Sequence, residues 1–155
     1  SAKSVGSLRR AGYRVCIVTN QSPIGRHHWD RSNLSRIHQQ MIRLMLEQDE
    51  DALLDLILHS PYAPWEGAWA RKPHPGMLEA GRQILDAASR DSSLEGLELK
   101  FGDDWTERPD ESGSVMVGDR GVDMSAAARY GVRGLLCDSD TGLADVIDSI
   151  LGGSA

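Results

Sequence analysis

Short apolar segments alternate with amphipathic helical segments along almost the whole sequence, and this alternation limits the folds that the chain can adopt. The hydrophobic pattern predicts strands at residues 14–18, 53–58, 115–117 and 134–137. Helical spacing of apolar residues predicts helices at residues 2–11, 30–47, 75 to about 88, 122–130 and 143–151. Because parallel strands need crossover connections, the alternation predicts an α/β fold, a parallel sheet with helices on both faces.

The composition is typical of a soluble globular domain. The 155 residues are 40% hydrophobic and 26% charged, with a formal net charge of −6. An acidic chain is poorly suited to nucleic acids or anionic membranes, so we expect neither as a partner. Cys16 and Cys137 each lie in a short apolar run, and no run approaches the roughly 20 residues of a membrane span. We therefore expect one domain over residues 1–155 in the cytoplasm, with reduced, buried cysteines.

Three polar stretches follow predicted strands: VTNQS at 18–22, RKPHPGM at 71–77 and MVGDRGVDMSAA at 116–127. The first belongs to the longer string IVTNQSPIG, in which a run suited to burial ends in hydroxyl and amide side chains. The carboxyl ends of parallel strands lie at the sheet edge where open α/β folds bind ligands. For any one stretch taken alone, an ordinary polar loop after a strand is the alternative explanation.

Together the three stretches offer the groups that bind a phosphoryl group. Thr19 offers a hydroxyl, Asn20 an amide and Lys72 an ammonium. Asp119 and Asp123 offer the hard oxygen ligands that Mg²⁺ prefers. A transferring phosphoryl group needs this kind of charge stabilisation, so the sequence predicts a phosphoryl-transfer site at the carboxyl edge of the sheet.

In their order, these stretches resemble motifs II, III and IV of the haloacid dehalogenase (HAD) superfamily of phosphohydrolases. The resemblance covers nearly the whole chain and is closest to the branch of heptose-1,7-bisphosphate and histidinol-phosphate phosphatases, with the strings LSRIHQQM and RKPHPGML. It implies a Rossmann-like sheet and a Mg²⁺-dependent phosphomonoester hydrolase of carbohydrate metabolism. Such an enzyme would act through an aspartyl-phosphate on a small sugar phosphate such as heptose 1,7-bisphosphate. A histidinol-phosphate phosphatase and a non-catalytic phosphate-binding or scaffold domain are the alternatives.

The resemblance also implies a role for each matching residue. Thr19 and Lys72 would bind the transferring phosphate, and Asp119 would ligate Mg²⁺. Asp123 would assist at the metal or orient Lys72, although an acid in the first turn of a helix is also explained by the helix dipole. The substrate-binding positions would be the other polar side chains of the motifs, namely Asn20, Gln21, Ser22, Arg71 and Arg120. A solvated surface charge is the alternative explanation for Arg71 and for Arg120.

Two features depart from the heptose-type branch. Its members carry a zinc-binding loop before the RKP string, whereas the matching positions here are Ser60, Tyr62, Ala68 and Ala70. None of these is a usual zinc ligand, so we expect no zinc and a loop held by apolar packing of Tyr62, Trp65 and Trp69. The second departure is a polar insertion at about 91–112, in which the pattern allows a short hairpin at residues 97–101.

The first motif of the superfamily, a strand that ends in Asp-x-Asp, is absent from this sequence. In relatives, the first Asp attacks phosphorus and the second is the general acid and base. That strand lies between the strands that end here at Thr19 and Gly118. We therefore expect an N-terminally truncated, inactive chain in which strands 15–18 and 115–117 are unpaired across a gap or drawn together. Asp138 and Asp140 have the required spacing, but they would serve only in a permuted order.

Overall fold

A computed structural model of the chain describes residues 2–20, 31–60 and 66–152. Within these residues the strands are β1 (Cys16–Asn20), β2 (Leu56–Ser60), β3 (Val115–Gly118) and β4 (Arg133–Leu136). The α-helices are α1 (Ala2–Arg10), α2 (Arg31–Gln48), α3 (Gly76–Arg90), α4 (Gly121–Tyr130) and α5 (Ile147–Leu151). The order of the elements is the predicted alternation. Across these ranges, no helix is long and apolar enough to cross a membrane.

The first two strands lie two to three residues later in the chain than the sequence pattern predicts. Strand β1 continues through Thr19 and Asn20, so both polar residues are paired with β2. Strand β2 begins late because Leu53 belongs to a turn, where its N–H donates to the carbonyl of Asp51 at 2.8 Å. The shift moves the end of β1 to the residues that were predicted to bind phosphate.

The insertion at residues 91–112 forms no strand, so the hairpin predicted at 97–101 is wrong. The backbone of Lys100, which a hairpin would need, is bonded to Gln83 of α3 instead. Its N–H donates to Gln83 Oε1 at 2.9 Å, and Gln83 Nε2 donates to its carbonyl at 2.8 Å. A 3₁₀ helix at Gly102–Asp104 follows. The predicted closing helix 143–151 is likewise divided, into a 3₁₀ helix at Gly142–Asp145 and α5.

The four strands form two separate parallel pairs. Strand β1 pairs with β2, with Cys16 opposite Leu56, and β3 pairs with β4, with Val115 opposite Arg133. Over the part of the chain that the structure describes, β1 and β3 share no hydrogen-bonded ladder. The α/β class with parallel strands is confirmed, and so is the expectation that these two strands are unpaired with each other.

Hydrophobic clusters connect the two strand pairs although no ladder does. Along β3 successive side chains alternate between two faces. On one face, Val115 and Val117 share a cluster with Val15 and the buried side chain of Leu8. On the other face, Met116 shares a cluster with Val18 of β1, Leu78 of α3, and Ala126 and Ala127 of α4. Helical elements therefore cover both faces, as the sequence predicts.

A cavity of about 810 Å³ separates the two pairs. Residues 15–19 line it on the side of β1, and residues 113–119 line it on the side of β3. Apolar side chains of the helices complete much of the wall, among them Leu8, Met41 and Met77. Thr19 and Asp119 line the end of the cavity that is nearest the carboxyl ends of β1 and β3.

Candidate active site

Four residues predicted to bind phosphate or metal line the same cavity: Thr19, Lys72, Asp119 and Asp123. They reach it from separate parts of the fold. Thr19 is near the end of β1, Lys72 lies in the loop before α3, Asp119 follows β3, and Asp123 is in the first turn of α4. The fold therefore brings together residues that are as much as 104 positions apart, Thr19 and Asp123.

Lys72 and Asp123 form an ion pair that is nearly withdrawn from solvent. Lys72 Nζ lies 2.6 Å from Asp123 Oδ1, and the two side chains are only 12% and 7% exposed. The ammonium also donates to the carbonyl of Val18 at 3.2 Å. Removing one partner of a buried ion pair typically costs about 3–5 kcal/mol, because the other charge stays buried and uncompensated. The geometry thus fixes the ammonium group beside the carboxyl end of β1.

Gly118 permits the close approach of Asp123. A Cβ atom at position 118 would lie 2.3 Å from Asp123 Cβ, a separation that no real side chain tolerates. The second carboxylate oxygen, Oδ2, accepts the backbone N–H of Arg120 at 3.2 Å. Asp123 therefore satisfies a donor at the start of α4 and also orients Lys72. Asp123 thus contacts both Lys72 and the start of α4, and its predicted role at the metal stays a prediction.

Asn20 binds the backbone of Lys72 from the end of β1. Its Oδ1 accepts the N–H of Lys72 at 3.1 Å, and its Nδ2 donates to the carbonyl of Lys72 at 3.2 Å. This two-way amide contact joins the strand to the loop before α3. The sequence placed Asn20 beside the phosphate-binding residues but did not indicate that its amide would hold the main chain of one of them.

Of the other predicted substrate-binding residues, Arg71 and Arg120 do not line this cavity. Arg71 is half-buried and its backbone N–H donates to the carbonyl of Ala68 at 3.0 Å, whereas Arg120 is exposed. Gln21 and Ser22 lie outside the described residues. The substrate-binding roles of these four residues stay predictions.

The carboxylates at the site supply some, but not all, of the ligands that a Mg²⁺ ion needs. Asp119 presents an exposed carboxylate at the cavity, while Asp123 is engaged by Lys72 and by the N–H of Arg120. Over the described ranges, no group of three or more His, Cys, Asp or Glu side chains is placed to hold a metal. Magnesium often takes only one or two carboxylates together with phosphate oxygens and water. Asp119 thus offers one carboxylate that suits Mg²⁺, and the described residues around it do not complete a set of protein ligands.

The alternative nucleophile Asp138 is committed to its own loop. Its Oδ1 accepts the backbone N–H groups of Asp140 at 2.8 Å and Thr141 at 3.1 Å. Hydrogen bonds from Thr141 and Asp140 lower the pKa of this carboxyl group. The N–H of Asp138 donates to Asp145 Oδ2 at 3.0 Å. These hydrogen bonds close the loop at residues 138–141, and they explain the Asp-x-Asp spacing without a catalytic role.

Comparisons with known proteins place this fold and site in context. The sequence profile of a family described as HAD-hydrolase-like matches residues 69–149. A D-glycero-beta-D-manno-heptose-1,7-bisphosphate 7-phosphatase of Pseudomonas aeruginosa is 38% identical over 84 residues, 54% of this chain and 44% of that protein. A D-glycero-D-manno-heptose-1,7-bisphosphate 7-phosphatase of Thermosynechococcus vestitus is 28% identical over 99% of this chain and 69% of that protein. The chain spans about half the length of several such relatives.

A solved structure shares the fold over almost the whole chain. It is a D,D-heptose 1,7-bisphosphate phosphatase from B. bronchiseptica in complex with magnesium and phosphate. The match has a TM-score of 0.72 and 26% sequence identity, and it covers 99% of this chain and 83% of that one. The likeness therefore extends over both strand pairs and the cavity between them.

Proposed function

Because the chain belongs to the HAD-hydrolase-like family, we propose that its protein is a Mg²⁺-dependent phosphatase that hydrolyses a small sugar phosphate such as heptose 1,7-bisphosphate. The observation that carries the proposal is the buried pair of Lys72 and Asp123 beside the exposed carboxylate of Asp119, at one end of the cavity. The names of the relatives support the substrate class, since curated proteins with that activity resemble this chain. The magnesium and phosphate in the B. bronchiseptica complex support the cofactor.

In the proposed reaction, Lys72 and Thr19 bind the transferring phosphoryl group at the carboxyl end of β1. Asp123 keeps the ammonium of Lys72 in place, and Asn20 keeps its main chain in place, so little reorganisation is needed when charge develops on phosphate. Arg71, Arg120, Gln21 and Ser22 contact the rest of the substrate. Asp119 would hold Mg²⁺, which when bound would neutralise charge on the phosphate oxygens.

The nucleophile in this proposal is an aspartate that is not among these 155 residues. It is the first residue of an Asp-x-Asp pair at the end of a strand that lies in the cavity between β1 and β3. A strand parallel to both would carry these carboxylates to the end where Lys72 and Asp119 lie. The first Asp forms the aspartyl-phosphate, and the second protonates the leaving group and then activates water.

A non-catalytic phosphate-binding or scaffold domain is the second candidate, favoured by the lack of an Asp-x-Asp strand in this sequence. Hydrolysis of histidinol phosphate is the alternative substrate within the enzymatic proposal. One experiment separates all three. The complete gene product is assayed with Mg²⁺ against heptose 1,7-bisphosphate, other sugar phosphates, and histidinol phosphate with other amino-alcohol phosphates.

We expect turnover of a sugar bisphosphate that is lost in Lys72→Ala and kept in Lys3→Ala, a matched change at an exposed lysine of α1. Binding of inorganic phosphate without turnover of any substrate would indicate the scaffold instead. Unchanged turnover in Lys72→Ala would contradict the role of this site.

A further inference from the structure

Glu79 is a completely buried carboxylate that is contacted from two separate segments of the chain. It lies in the first turn of α3 and is 0% exposed. Its Oε1 accepts the indole N–H of Trp69 at 2.5 Å, and its Oε2 accepts the backbone N–H of Gly102 at 2.8 Å and a guanidinium N–H of Arg108. Acidic side chains are almost never fully buried unless they are paired, and here these three donors supply the pairing.

One of these contacts fixes the loop that leads to Lys72. Besides its indole contact, Trp69 accepts the N–H of Gly76 on its carbonyl at 3.0 Å. A Cβ at Gly76 would lie only 2.5 Å from that oxygen, so the start of α3 lies directly against the backbone of Trp69. The indole also stacks on His74, with 5.3 Å between ring centroids. Lys72 therefore lies in a short loop that begins at Trp69 and whose other end, at Gly76, is hydrogen-bonded back to Trp69.

The other two contacts come from the insertion at residues 91–112. Arg108 organises this segment: it donates to the carbonyls of Gly102 at 2.9 Å and Trp105 at 3.1 Å. Its guanidinium carbon lies 4.6 Å from the centroid of the Trp105 ring, which is buried. These contacts hold the guanidinium of Arg108 within the insertion, and its charge faces Glu79.

We propose that Glu79 is a positioning residue for Lys72, and that the insertion acts through Arg108 and Glu79 to hold the loop of Trp69, Arg71 and Lys72. This inference rests on the proposed phosphate site at Lys72. It gives the insertion a role in phosphate affinity, although none of its residues needs to touch the substrate.

Trp69→Phe is the sharpest test, because it removes the indole N–H but keeps an aromatic ring and leaves the pair of Glu79 and Arg108 in place. Arg108→Lys tests the insertion while it keeps the positive charge. Glu107→Gln, at an exposed neighbouring position, is the control. In the complete gene product, the inhibition constant of inorganic phosphate is measured well below the melting temperature of each variant.

We expect both test variants to weaken phosphate binding by about tenfold, because small displacements of a binding group are costly, and the control to leave it unchanged. A fall in melting temperature with unchanged phosphate affinity would overturn the proposal, because it would show a purely structural role.

The backbone amide resonance of Lys72 separates this inference from the proposed function. It should shift in Arg108→Lys and not in Glu107→Gln, whatever reaction the protein performs. A wild-type protein that binds no phosphate but shows this shift would refute the proposed function and keep the positioning role. An unshifted resonance would refute the positioning role.

Discussion

Lys72 is restrained at both of its ends, which distinguishes it from an ordinary loop lysine. Asn20 binds its backbone N–H and carbonyl, and Asp123 and the carbonyl of Val18 bind its ammonium. A lysine side chain loses up to about 2 kcal/mol of rotamer entropy when it is ordered. Folding has already ordered the side chain of Lys72, so phosphate binding would not carry this entropy cost and the ammonium would already be in place.

Asp119 supplies a prediction about the metal. Asp119→Asn replaces a hard anionic ligand with a neutral amide, so in the complete gene product we expect turnover to fall by about two orders of magnitude or more. The Mg²⁺ concentration needed for half-maximal activity should rise as well. Steady-state kinetics across a Mg²⁺ titration measures both quantities. Asp103→Asn, at an exposed acid of the insertion, is the matched control, and equal behaviour of the two variants would refute the assignment.

Cys16 supplies a prediction about pH. Burial, with a smaller contribution from Asp55, raises the pKa of its thiol to about 11. A higher pKa keeps the thiol protonated, so at pH 8 the reactive thiolate is only about one molecule in a thousand, and it increases tenfold for each pH unit. In a Cys137→Ser variant, we expect Cys16 to react with iodoacetamide about a hundredfold more slowly than an unperturbed thiol. A rate that levels off below pH 9 would contradict the raised pKa.

Sequence reasoning identified the residues of the site better than their partners. The types and order of Lys72, Asp119 and Asp123 predicted that they lie together, and they line one cavity. The amide contact of Asn20 with Lys72 and the buried position of Glu79 were not predicted, since each depends on distances between segments that are far apart in the chain. An acid in the first turn of a helix is ordinarily explained by the helix dipole, so Glu79 carried no signal of its own.

At the scale of elements, Gly118 and Gly81 give a matched pair of predictions. A Cβ at Gly118 would lie 2.3 Å from Asp123 Cβ, an atom fixed to the backbone of α4. We expect Gly118→Ala to destabilise the protein by about 1–3 kcal/mol and to weaken phosphate binding, because Asp123 must move away from Lys72.

The control substitution is Gly81→Ala, in the interior of α3. There the nearest side-chain atoms would be Cys16 Sγ at 3.4 Å and Leu58 Cδ1 at 3.5 Å, which is ordinary contact. Alanine in a helix interior is favoured over glycine by about 0.5–1 kcal/mol, so we expect neutral or increased stability. Denaturant unfolding of both variants measures the difference. Equal losses at the two positions would show that the contact of Gly118 with Asp123 is not specific.

Element boundaries were predicted well where one residue decides them. The helices ending near Gly12 and Gly131 do end there, because both glycines have positive φ angles, of 95° and 96°. The hairpin at 97–101 failed for the opposite reason. Its local pattern was compatible with strands, but Gln83 of α3 takes the backbone groups of Lys100. Competition from a distant side chain is not visible in a local pattern.

At the scale of the whole molecule, the two strand pairs are connected by side-chain packing but not by backbone hydrogen bonds in the described residues. Hydrophobic clusters on both faces contain side chains from the β1 side and from β3, so burial holds the pairs in one arrangement. The ladders do not continue from one pair to the other through the described residues. The sequence predicted this division only through the resemblance to a superfamily, since the hydrophobic pattern alone indicates strands and does not give their order in a sheet.

The edges of β1 and β3 that face the cavity lead to the last prediction. In a parallel ladder, roughly half of the residues of a strand direct their N–H and C=O groups to each neighbour. Each such group buried without a partner costs about 1–3 kcal/mol, so several of them approach the 5–15 kcal/mol that stabilises a typical domain. We therefore expect the 155 residues alone to be inactive and to be insoluble, oligomeric or molten.

Hydrogen exchange tests whether a strand occupies the cavity in the complete gene product. We expect the amides on the inner edges of β1 and β3 to exchange slowly there and quickly in the isolated 155-residue chain, because only the complete gene product would supply ladder partners on those edges. The amides of α4 bond within one helix, so their exchange in each protein measures any general loss of structure, and the inner-edge amides should lose more protection than they do. Equal protection in both proteins would contradict the inserted strand. A monomeric isolated chain that unfolds cooperatively and hydrolyses phosphoesters would refute it entirely, and would make Asp138 and Asp140 the candidates for the nucleophile and the acid.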